Sequence, residues 1–254
     1  MSLSFRQTDI LEIAKTDGRV TVEGLAARFD VTVQTIRRDL SELADAGKLE
    51  RVHGGAVLSS GVSNIGYADR RGLHETAKAD IARTCAEAIP DGASVFLNIG
   101  TTTEAVAQEL LSHRDLLVVT NNLNVARILA ANPQCEIIVA GGVLRRTDAG
   151  LVGNLTIAAI EQFKFDYTVT SCSALDTEGD MMDFDLQEVN VSRVILSKAR
   201  RSFLVADHSK FHRSAPARIA SLQEIDTFFT DQPVTEQLAA RCADWHTEIR
   251  VCEA

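Results

Sequence analysis

The sequence of 254 residues lacks the patterns of several classes of protein. No Cys-x-x-Cys pair is present, which excludes the common zinc-binding patterns and gives no sign of a disulfide framework. No stretch approaches the roughly 20 apolar residues of a membrane span, and MSLSFRQTDI contains no signal-peptide run. We therefore expect a cytoplasmic protein with no metal site. Its five cysteines are expected to be small buried side chains: Cys85, Cys135, Cys172, Cys242 and Cys252.

Positive charge is also scarce. The formal net charge is −9, from 26 Lys and Arg against 35 Asp and Glu. This balance excludes a generally basic protein that binds nucleic acid without specificity. Residues 1–58 are no exception, with eight Lys or Arg and nine Asp or Glu. Any contact with nucleic acid must therefore come from a local basic face, doubled by dimerisation.

Near the N-terminus, the sequence contains two short amphipathic helical patterns that are separated by a short break. Thr21 is placed to cap the first helix, and Thr32 is a natural N-cap for the second. The break between them, Asp30–Thr32, is too short for anything but a turn. The spacing predicts one apolar face on each helix: Val22, Leu25, Ala26 and Phe29 on the first, and Val33, Ile36, Leu40 and Leu43 on the second.

Two strand-like runs, Leu49–Val52 and Ala56–Leu58, follow the second helix. His53-Gly54-Gly55 joins them, and paired glycines permit the positive φ angles of a tight hairpin. Helix, turn, helix and hairpin together are typical of a winged helix-turn-helix that reads DNA. The alternative is a small three-helix domain that binds protein. The candidate DNA-contacting residues are Thr32, Gln34, Thr35, Arg37, Arg38, Arg51 and His53.

The rest of the chain alternates strand and helix. We predict a DNA-binding domain at 1–58, a linker at 59–72 and a larger domain at 73–254. The predicted strands are Ser94–Ile99, Leu116–Thr120, Glu136–Ala140, Asp166–Ser171, Ser202–Ala206, Asp226–Thr230 and Glu248–Cys252. The predicted helices cover 73–89, 103–112, 122–131, 154–163, 185–199 and 234–243. Continuous apolar strands alternating with helices predict an α/β domain whose parallel sheet is covered on both faces.

Unusual residues follow several of these strands, where open parallel sheets bind ligands. The first strand leads into a glycine, three threonines and a new helix, whose free N–H groups suit a phosphate. Asparagines follow the second strand, and two glycines and an arginine follow the third. Helix capping, ordinary turns and solvated side chains are the alternative interpretation. The candidate ligand-binding residues are Gly100, Thr101, Thr102, Thr103, Asn121, Asn122, Gly141, Gly142, Arg145, Asp207 and Lys210.

Several motifs resemble the DeoR family of bacterial regulators of sugar catabolism. They are Thr35–Leu40 with Leu43, Arg51–Ala56, Asn98–Thr102, Thr120–Asn122, Ala140–Gly142 and Asp207–Phe211. The resemblance covers nearly the whole chain. It implies a transcriptional repressor with a sensor domain that shares the fold of ribose-5-phosphate isomerase and glucosamine-6-phosphate deaminase. It also implies release from operator DNA by a phosphorylated sugar or polyol. Because a single DNA-binding domain without net positive charge offers few phosphate contacts, we expect a homodimer or homotetramer, with no cofactor.

Within the family, short runs are most similar to the branch that controls glycerol-3-phosphate use. They are Val119–Ala126, Glu161–Phe163 and Asp183–Asp185 with Glu188 and Val189. The sequence departs from the commoner family pattern at Ser171–Asp176, where glycines are usual, and at His212. We therefore expect glycerol-3-phosphate as the effector, with Ser171–Asp176 as a loop that could set specificity.

An enzyme is the alternative to a sensor, because the implied fold is shared with isomerases. Isomerisation of a sugar phosphate needs a base and an acid placed around a carbonyl group. The available side chains, Asp176, Asp183, Asp185, Glu188, Asp207 and His208, form no distinctive catalytic pair in the sequence. An attached DNA-binding domain suits a sensor better, so we expect a regulator with no catalytic residues.

Overall fold

The computed structural model describes residues 3–17, 19–52, 54–58 and 66–252. It divides into two compact units, Met1–Leu73 and His74–Ala254. The first unit contains, in chain order, α1 (Phe5–Asp17), β1 (Arg19–Thr21), α2 (Val22–Phe29), α3 (Val33–Asp45), β2 (Leu49–Val52), β3 (Gly55–Leu58) and α4 (Tyr67–Gly72). Its three strands form an antiparallel sheet in the order β1-β3-β2.

Capping residues set the boundaries of the two central helices. Thr21 accepts a hydrogen bond from Gly24 N at 3.1 Å, and Thr32 accepts one from Thr35 N at 3.2 Å. Between the helices, Asp30 adopts a left-handed conformation with φ 50°. The expected turn is therefore present, and α2 and α3 begin where the capping residues predict.

The core of the first unit contains most of the predicted apolar positions. Ile10, Leu25, Ile36, Leu40 and Leu43 are buried together. The prediction was wrong for Val33, which is 37% exposed. As the first residue of α3, Val33 lies beyond the edge of this core.

The wing, which is the hairpin of β2 and β3, pairs with a further strand that the sequence did not predict. β1 pairs with β3, and a Cβ on Gly55 would lie only 1.9 Å from Val20 O. Gly55 therefore permits close approach of two strands, while Gly54, with φ 74°, makes the turn. α4 occupies part of the range assigned to the linker. His53 and residues 59–65 lie outside the described residues.

The second unit is built around a parallel sheet of seven strands. Its helices are α5 (Glu75–Glu87), α6 (Thr101–Glu109), α7 (Leu123–Leu129), α8 (Asn154–Ile160), α9 (Leu186–Ser197) and α10 (Glu236–Trp245). Its strands are β4 (Ser94–Leu97), β5 (Leu116–Thr120), β6 (Cys135–Val139), β7 (Val143–Leu144), β8 (Leu151–Val152), β9 (Phe165–Thr170), β10 (Ala174–Leu175), β11 (Asp180–Asp183), β12 (Ala199–Val205), β13 (Ala217–Ser221), β14 (Thr227–Thr230) and β15 (Glu248–Val251).

The large sheet has the order β15-β14-β12-β9-β4-β5-β6, and every neighbouring pair in it is parallel. β7 and β8 form a small hairpin, and β10, β11 and β13 form a second antiparallel sheet. Val95 and Leu97 pack on the side of α5, α6 and α7, whereas Phe96 packs on the side of α8 and α9. The predicted parallel sheet covered on both faces is confirmed.

The cysteines are free thiols, and four of the five are buried. Burial raises the pKa of the Cys172 thiol to about 12. Cys135 differs from the prediction because it lies half-buried on the edge strand β6. Among the described residues, no helix combines the length and the apolar character of a membrane span.

Candidate functional sites

The outer surface of α3 is the candidate DNA-binding face. Gln34, Arg37 and Arg38 are exposed on it, while Ile36 and Leu40 on the opposite side are buried. Exposed side chains in the first half of the second helix are those that reach base edges in helix-turn-helix proteins. The hydroxyls of Thr32 and Thr35 lie 2.9 Å apart, and Thr32 also caps the helix. Both threonines therefore stabilise the start of α3.

A hydrogen-bonded chain of side chains holds Arg38. Its Nε donates to Glu42 Oε1 at 2.9 Å, and Gln7 Nε2 of α1 donates to Glu42 Oε2 at 2.7 Å. The bond from Arg38 and then the bond from Gln7 lower the pKa of Glu42. The sequence analysis missed Glu42 and Gln7. The four-residue spacing of Arg38 and Glu42 was the available signal.

Arg51 makes hydrogen bonds within the domain, and its contact with DNA stays a prediction. Its Nη1 donates to Arg37 O and to Ser41 Oγ, both at 2.9 Å. These bonds tie strand β2 to α3. The guanidinium is therefore engaged within the domain, because it satisfies a helix carbonyl and a hydroxyl that lie beside it.

The predicted ligand-binding residues fall into two groups along the sheet. Gly100–Thr103 follow β4, and Asp207 and Lys210 follow β12, with β9 between these two strands. The asparagines follow β5, and Gly141, Gly142 and Arg145 follow β6, which lies on the far side of β4 from β12. Neighbouring strands lie about 5 Å apart, so the ends of β6 and β12 are roughly 20 Å apart. One small effector cannot contact the ends of both β6 and β12, whereas the ends of β4 and β5 are neighbours.

In the first group, Gly100 allows the chain to turn directly from β4 into α6. Its φ is 154°, and a Cβ there would lie 3.3 Å from Ser171 Cβ. Glu104 N donates to Gly100 O at 3.0 Å, which is the first hydrogen bond along α6. The amides of Thr101, Thr102 and Thr103 therefore remain outside the helical ladder, as an anion at a helix N-terminus requires.

The three threonines are not equivalent. Thr103 Oγ1 donates to Asn98 O and to Gly100 O, both at 2.7 Å, so its hydroxyl stabilises the turn. Thr102 is buried as well, and Thr101 is half-buried. The hydroxyl of Thr103 is thus committed to the loop, and only its amide is left for a ligand.

Asp207 lies at the end of β12 and is almost fully buried. Its Oδ1 accepts hydrogen bonds from the amide and the hydroxyl of Ser209. Its Oδ2 is buried and has no hydrogen-bond partner within the described part of the chain. Burial by itself would raise the pKa of Asp207, but the nearby charge of Lys210, the Ser209 hydroxyl, His74 and Lys78 hold it well below the ordinary value. An ionised oxygen with an empty acceptor position suits a ligand hydroxyl.

Lys78 on α5 was missed by the sequence analysis. It is only 5% exposed, and its charge acts on Asp207. The available signal was its position: Lys78 shares a helical face with Ile81 and Cys85, so a charged side chain occurs where the pattern requires an apolar one. A buried lysine needs a compensating negative charge, and Asp207 supplies part of it.

Asn122 and Gly142 of the second group have structural roles. Asn122 caps α7 by accepting from Asn124 N at 2.9 Å, and its Nδ2 donates to Glu104 Oε1 at 3.2 Å. A Cβ on Gly142 would lie 2.0 Å from Thr156 Oγ1, so this glycine permits close packing. Asn121 Nδ2 donates to Leu151 O at 3.2 Å, while its Oδ1 is buried without a partner among the described residues.

Arg145 is surrounded by carboxylates. It pairs with Glu188, and with Asp148 and Asp185 at 3.2 Å each. Three negative charges around one guanidinium leave an excess of negative charge, which disfavours a phosphate at this position. The ion pairs join the β7–β8 hairpin to α9, and the phosphate-binding role of Arg145 stays a prediction that this charge balance does not favour.

The carboxylates considered for catalysis have structural partners. Asp176 accepts hydrogen bonds from the amides of Glu178 and Asp180, and Asp185 caps α9. Asp183 Oδ2 accepts from Ser173 Oγ at 3.0 Å. His208 Nδ1 lies 2.6 Å from Asp231 Oδ2. These contacts stabilise turns and helix ends around the site.

Comparison with known proteins gives matches to both units. Residues 6–61 match the DeoR-like helix-turn-helix domain, and residues 73–232 match the DeoR C terminal sensor domain. The chain is 41% identical over 252 residues to the glycerol-3-phosphate regulon repressor of Escherichia coli (strain K12), covering 99% of this chain and 100% of that protein. It is 38% identical over 244 residues to the HTH-type transcriptional repressor CsqR of Escherichia coli (strain K12), with 96% and 94% covered.

Among solved structures, ribose 5 phosphate isomerase A from Neisseria gonorrhoeae aligns with 53% of this chain and 52% of its own. The TM-score is 0.38 and the sequence identity is 13%. A likeness of this extent carries no conclusion about activity.

Proposed function

Because the chain belongs to the DeoR family and is a transcriptional repressor rather than an enzyme, we propose that glycerol-3-phosphate releases it from the operator of a catabolic operon. Residues 1–58 would bind the operator, and residues 73–254 would bind the effector. The repressor would act in the cytoplasm, where operator DNA lies. The similarity to repressors of the glycerol-3-phosphate regulon over nearly the whole chain supports this effector.

The effector site we propose lies at the carboxyl ends of β4, β9 and β12. The phosphate would accept hydrogen bonds from the amides at the start of α6, where the helix dipole favours an anion. Lys210, buried at the end of β12, would supply a positive charge. A hydroxyl of the polyol would donate to Asp207 Oδ2. The observation that carries this proposal is the buried carboxylate oxygen of Asp207, which has no hydrogen-bond partner among the described residues and lies near the charge of Lys210.

On the DNA side, we propose that Gln34, Arg37 and Arg38 contact base edges or phosphates in the major groove, with Thr32 and Thr35 at the start of the same helix. Arginine recognises guanine through two parallel hydrogen bonds, and glutamine recognises adenine in the same way. The exposure of these three side chains on α3 supports the assignment.

We further propose that the repressor acts as a homodimer or homotetramer. Effector binding would favour an arrangement of the subunits that binds the operator poorly. By thermodynamic linkage, the free energy by which the effector weakens operator binding equals that by which the operator weakens effector binding.

The effector is tested by titrating the repressor–operator complex with glycerol-3-phosphate, glycerol and fructose 1-phosphate. We expect release by glycerol-3-phosphate and no release by glycerol, since the phosphate anchors the ligand through charge-assisted hydrogen bonds. Release by glycerol at the same concentration would contradict the phosphate site. Release by fructose 1-phosphate alone would agree with the proposed phosphate site and would show that the effector is not glycerol-3-phosphate.

Thr102→Val tests the loop at the start of α6. Valine keeps the size of the buried side chain and removes its hydroxyl, so operator affinity should be kept while the response to glycerol-3-phosphate weakens roughly tenfold, the effect of losing one hydrogen bond to a charged group. The control is Thr227→Val, which makes the same change at the first residue of β14, at the opposite end of the strands from the proposed site. An equal effector response in both variants would rule out a ligand contact at Thr102.

A further inference from the structure

The two units meet in sequence at a single peptide bond. Leu73 is the last residue of the first unit and is buried against Val52 and Val57 of the wing. His74 is the first residue of the second unit. Neighbouring residues are therefore fixed in different units, one on the wing and the other beside the proposed effector site.

His74 has an unusual backbone conformation. Its φ and ψ are 53° and 40°, the left-handed region, which residues other than glycine rarely adopt. Its side chain does not cap α5, while its carbonyl accepts a hydrogen bond from Lys78 N at 3.0 Å. A small change in these two angles would redirect the chain that enters the helix.

Contacts of the His74 ring hold this residue beside Asp207. The ring packs edge-on against that of His208, with 5.6 Å between the centroids. His208 is in turn fixed by Asp231, which accepts from its backbone amide at 2.7 Å and contacts Nδ1 at 2.6 Å. His208 directly follows Asp207, so the position of His74 depends on the residue that we propose accepts a ligand hydroxyl.

One turn further along α5, Lys78 is buried, and its positive charge acts on the carboxylate of Asp207. α5 packs on α6 as well as on β12 and β14. α5 thus packs against both parts of the proposed site, the helix that would bind the phosphate and the strand that leads to Asp207.

We propose that the segment His74–Lys78 couples the effector site to the DNA-binding unit, with Lys78 as a further cation for the effector phosphate and His74 as the joint. This inference rests on the proposed function. A phosphate bound at the start of α6 attracts the Lys78 ammonium away from Asp207. Because Lys78 and His74 share one helical turn, the movement reaches the bond between His74 and Leu73.

The joint is tested by measuring the affinity for glycerol-3-phosphate with and without operator DNA. The ratio of the two affinities gives the coupling, which is roughly 5- to 150-fold in allosteric proteins. His74→Gly keeps the left-handed conformation available and frees the chain to adopt others. We expect operator affinity, measured without effector, to stay near that of the wild type, and the ratio of the two effector affinities to fall towards one.

His246→Gly is the matched control. His246 is also a histidine in the left-handed conformation, with φ 63°, and it lies exposed at the end of α10. We expect it to keep the full coupling. Full coupling in His74→Gly would overturn the role of the joint, and an equal loss in both variants would do the same, since the effect would then be a general one.

Lys78→Met tests the cation. We expect weaker binding of glycerol-3-phosphate by about tenfold or more, unchanged operator affinity, and recovery of effector binding in Lys78→Arg. Wild-type effector affinity in a folded Lys78→Met chain would overturn this part of the inference. If the wild-type chain binds no glycerol-3-phosphate, the proposed effector is wrong. The role of Lys78 is then tested by comparing the affinity of the same variants for inorganic phosphate.

Discussion

Arg38, which we propose contacts DNA, is held in place by neighbouring side chains. Its guanidinium is paired with Glu42 on the next turn of α3, and Gln7 of α1 fixes the other oxygen of that carboxylate. An exposed ion pair of this spacing contributes only about 0.3–0.5 kcal/mol. The pair therefore orients Arg38 at little cost, and a guanine or a phosphate can displace Glu42.

Replacing Arg38 by alanine should weaken operator binding by about 1–3 kcal/mol, or roughly 5- to 150-fold, because a base-reading arginine contributes this much discrimination. Affinity measured by fluorescence anisotropy, for the operator and for unrelated DNA, checks this value. Arg114→Ala removes the same charge from an exposed site in the second unit and should leave operator affinity unchanged. Equal operator affinity in the two variants would show that α3 does not read the operator through Arg38.

Contacts between residues close together in the chain could be predicted from the sequence, and contacts between distant residues could not. Thr21 and Thr32 cap helices as expected, since the bonds they make span only three residues. Arg145 was assigned to a phosphate, yet its partners include Glu188, which is 43 positions away in the chain. Spacing along a sequence carries no information about such a partner, so the charge balance around Arg145 could be read only from the fold.

At the scale of helices and strands, continuous burial made the large sheet predictable. Each of its seven strands overlaps a predicted apolar run. The missed strands lie outside this sheet. β11 and β13 are among them, with four and five residues, and the other four are shorter. β7, β8 and β10 have two residues each, and β1 has three. A run of two or three residues shows no periodicity, and such strands form because a neighbouring segment pairs with them.

Gly141 and Gly142, which follow β6, allow a test of whether a glycine at this position is needed for packing. Gly142 has φ 145°, and an added Cβ would meet Thr156 Oγ1 at 2.0 Å and Val152 O at 2.8 Å. We expect Gly142→Ala to lower the free energy of unfolding by about 1–3 kcal/mol, the usual cost of overpacking. The control is Gly141→Ala, where nothing lies within 4 Å of the new Cβ. Thermal denaturation compares them, and equal stability of the two variants would contradict this account.

At the scale of the whole molecule, charge limits what one DNA-binding unit can do. The chain carries a net charge of −9, and residues 1–58 have one more acidic than basic residue. Affinity for DNA grows with each phosphate neutralised by a lysine or arginine. A single unit with two exposed arginines on α3 offers few such contacts, and the acidic second unit adds repulsion.

Two DNA-binding units on a symmetric operator remove this limit, so we expect the chain of 27.6 kDa to form dimers or tetramers at micromolar concentration. Two-fold symmetry doubles the phosphate contacts, and helix-turn-helix dimers place their half-sites one or more turns of DNA apart, in multiples of about 34 Å. Light scattering measures the mass, and anisotropy compares an operator with one that has a single half-site. Loss of one half-site should weaken binding and lower its salt dependence, because fewer counterions are released. A monomer that binds a single half-site with the affinity of the full operator would contradict the symmetric arrangement.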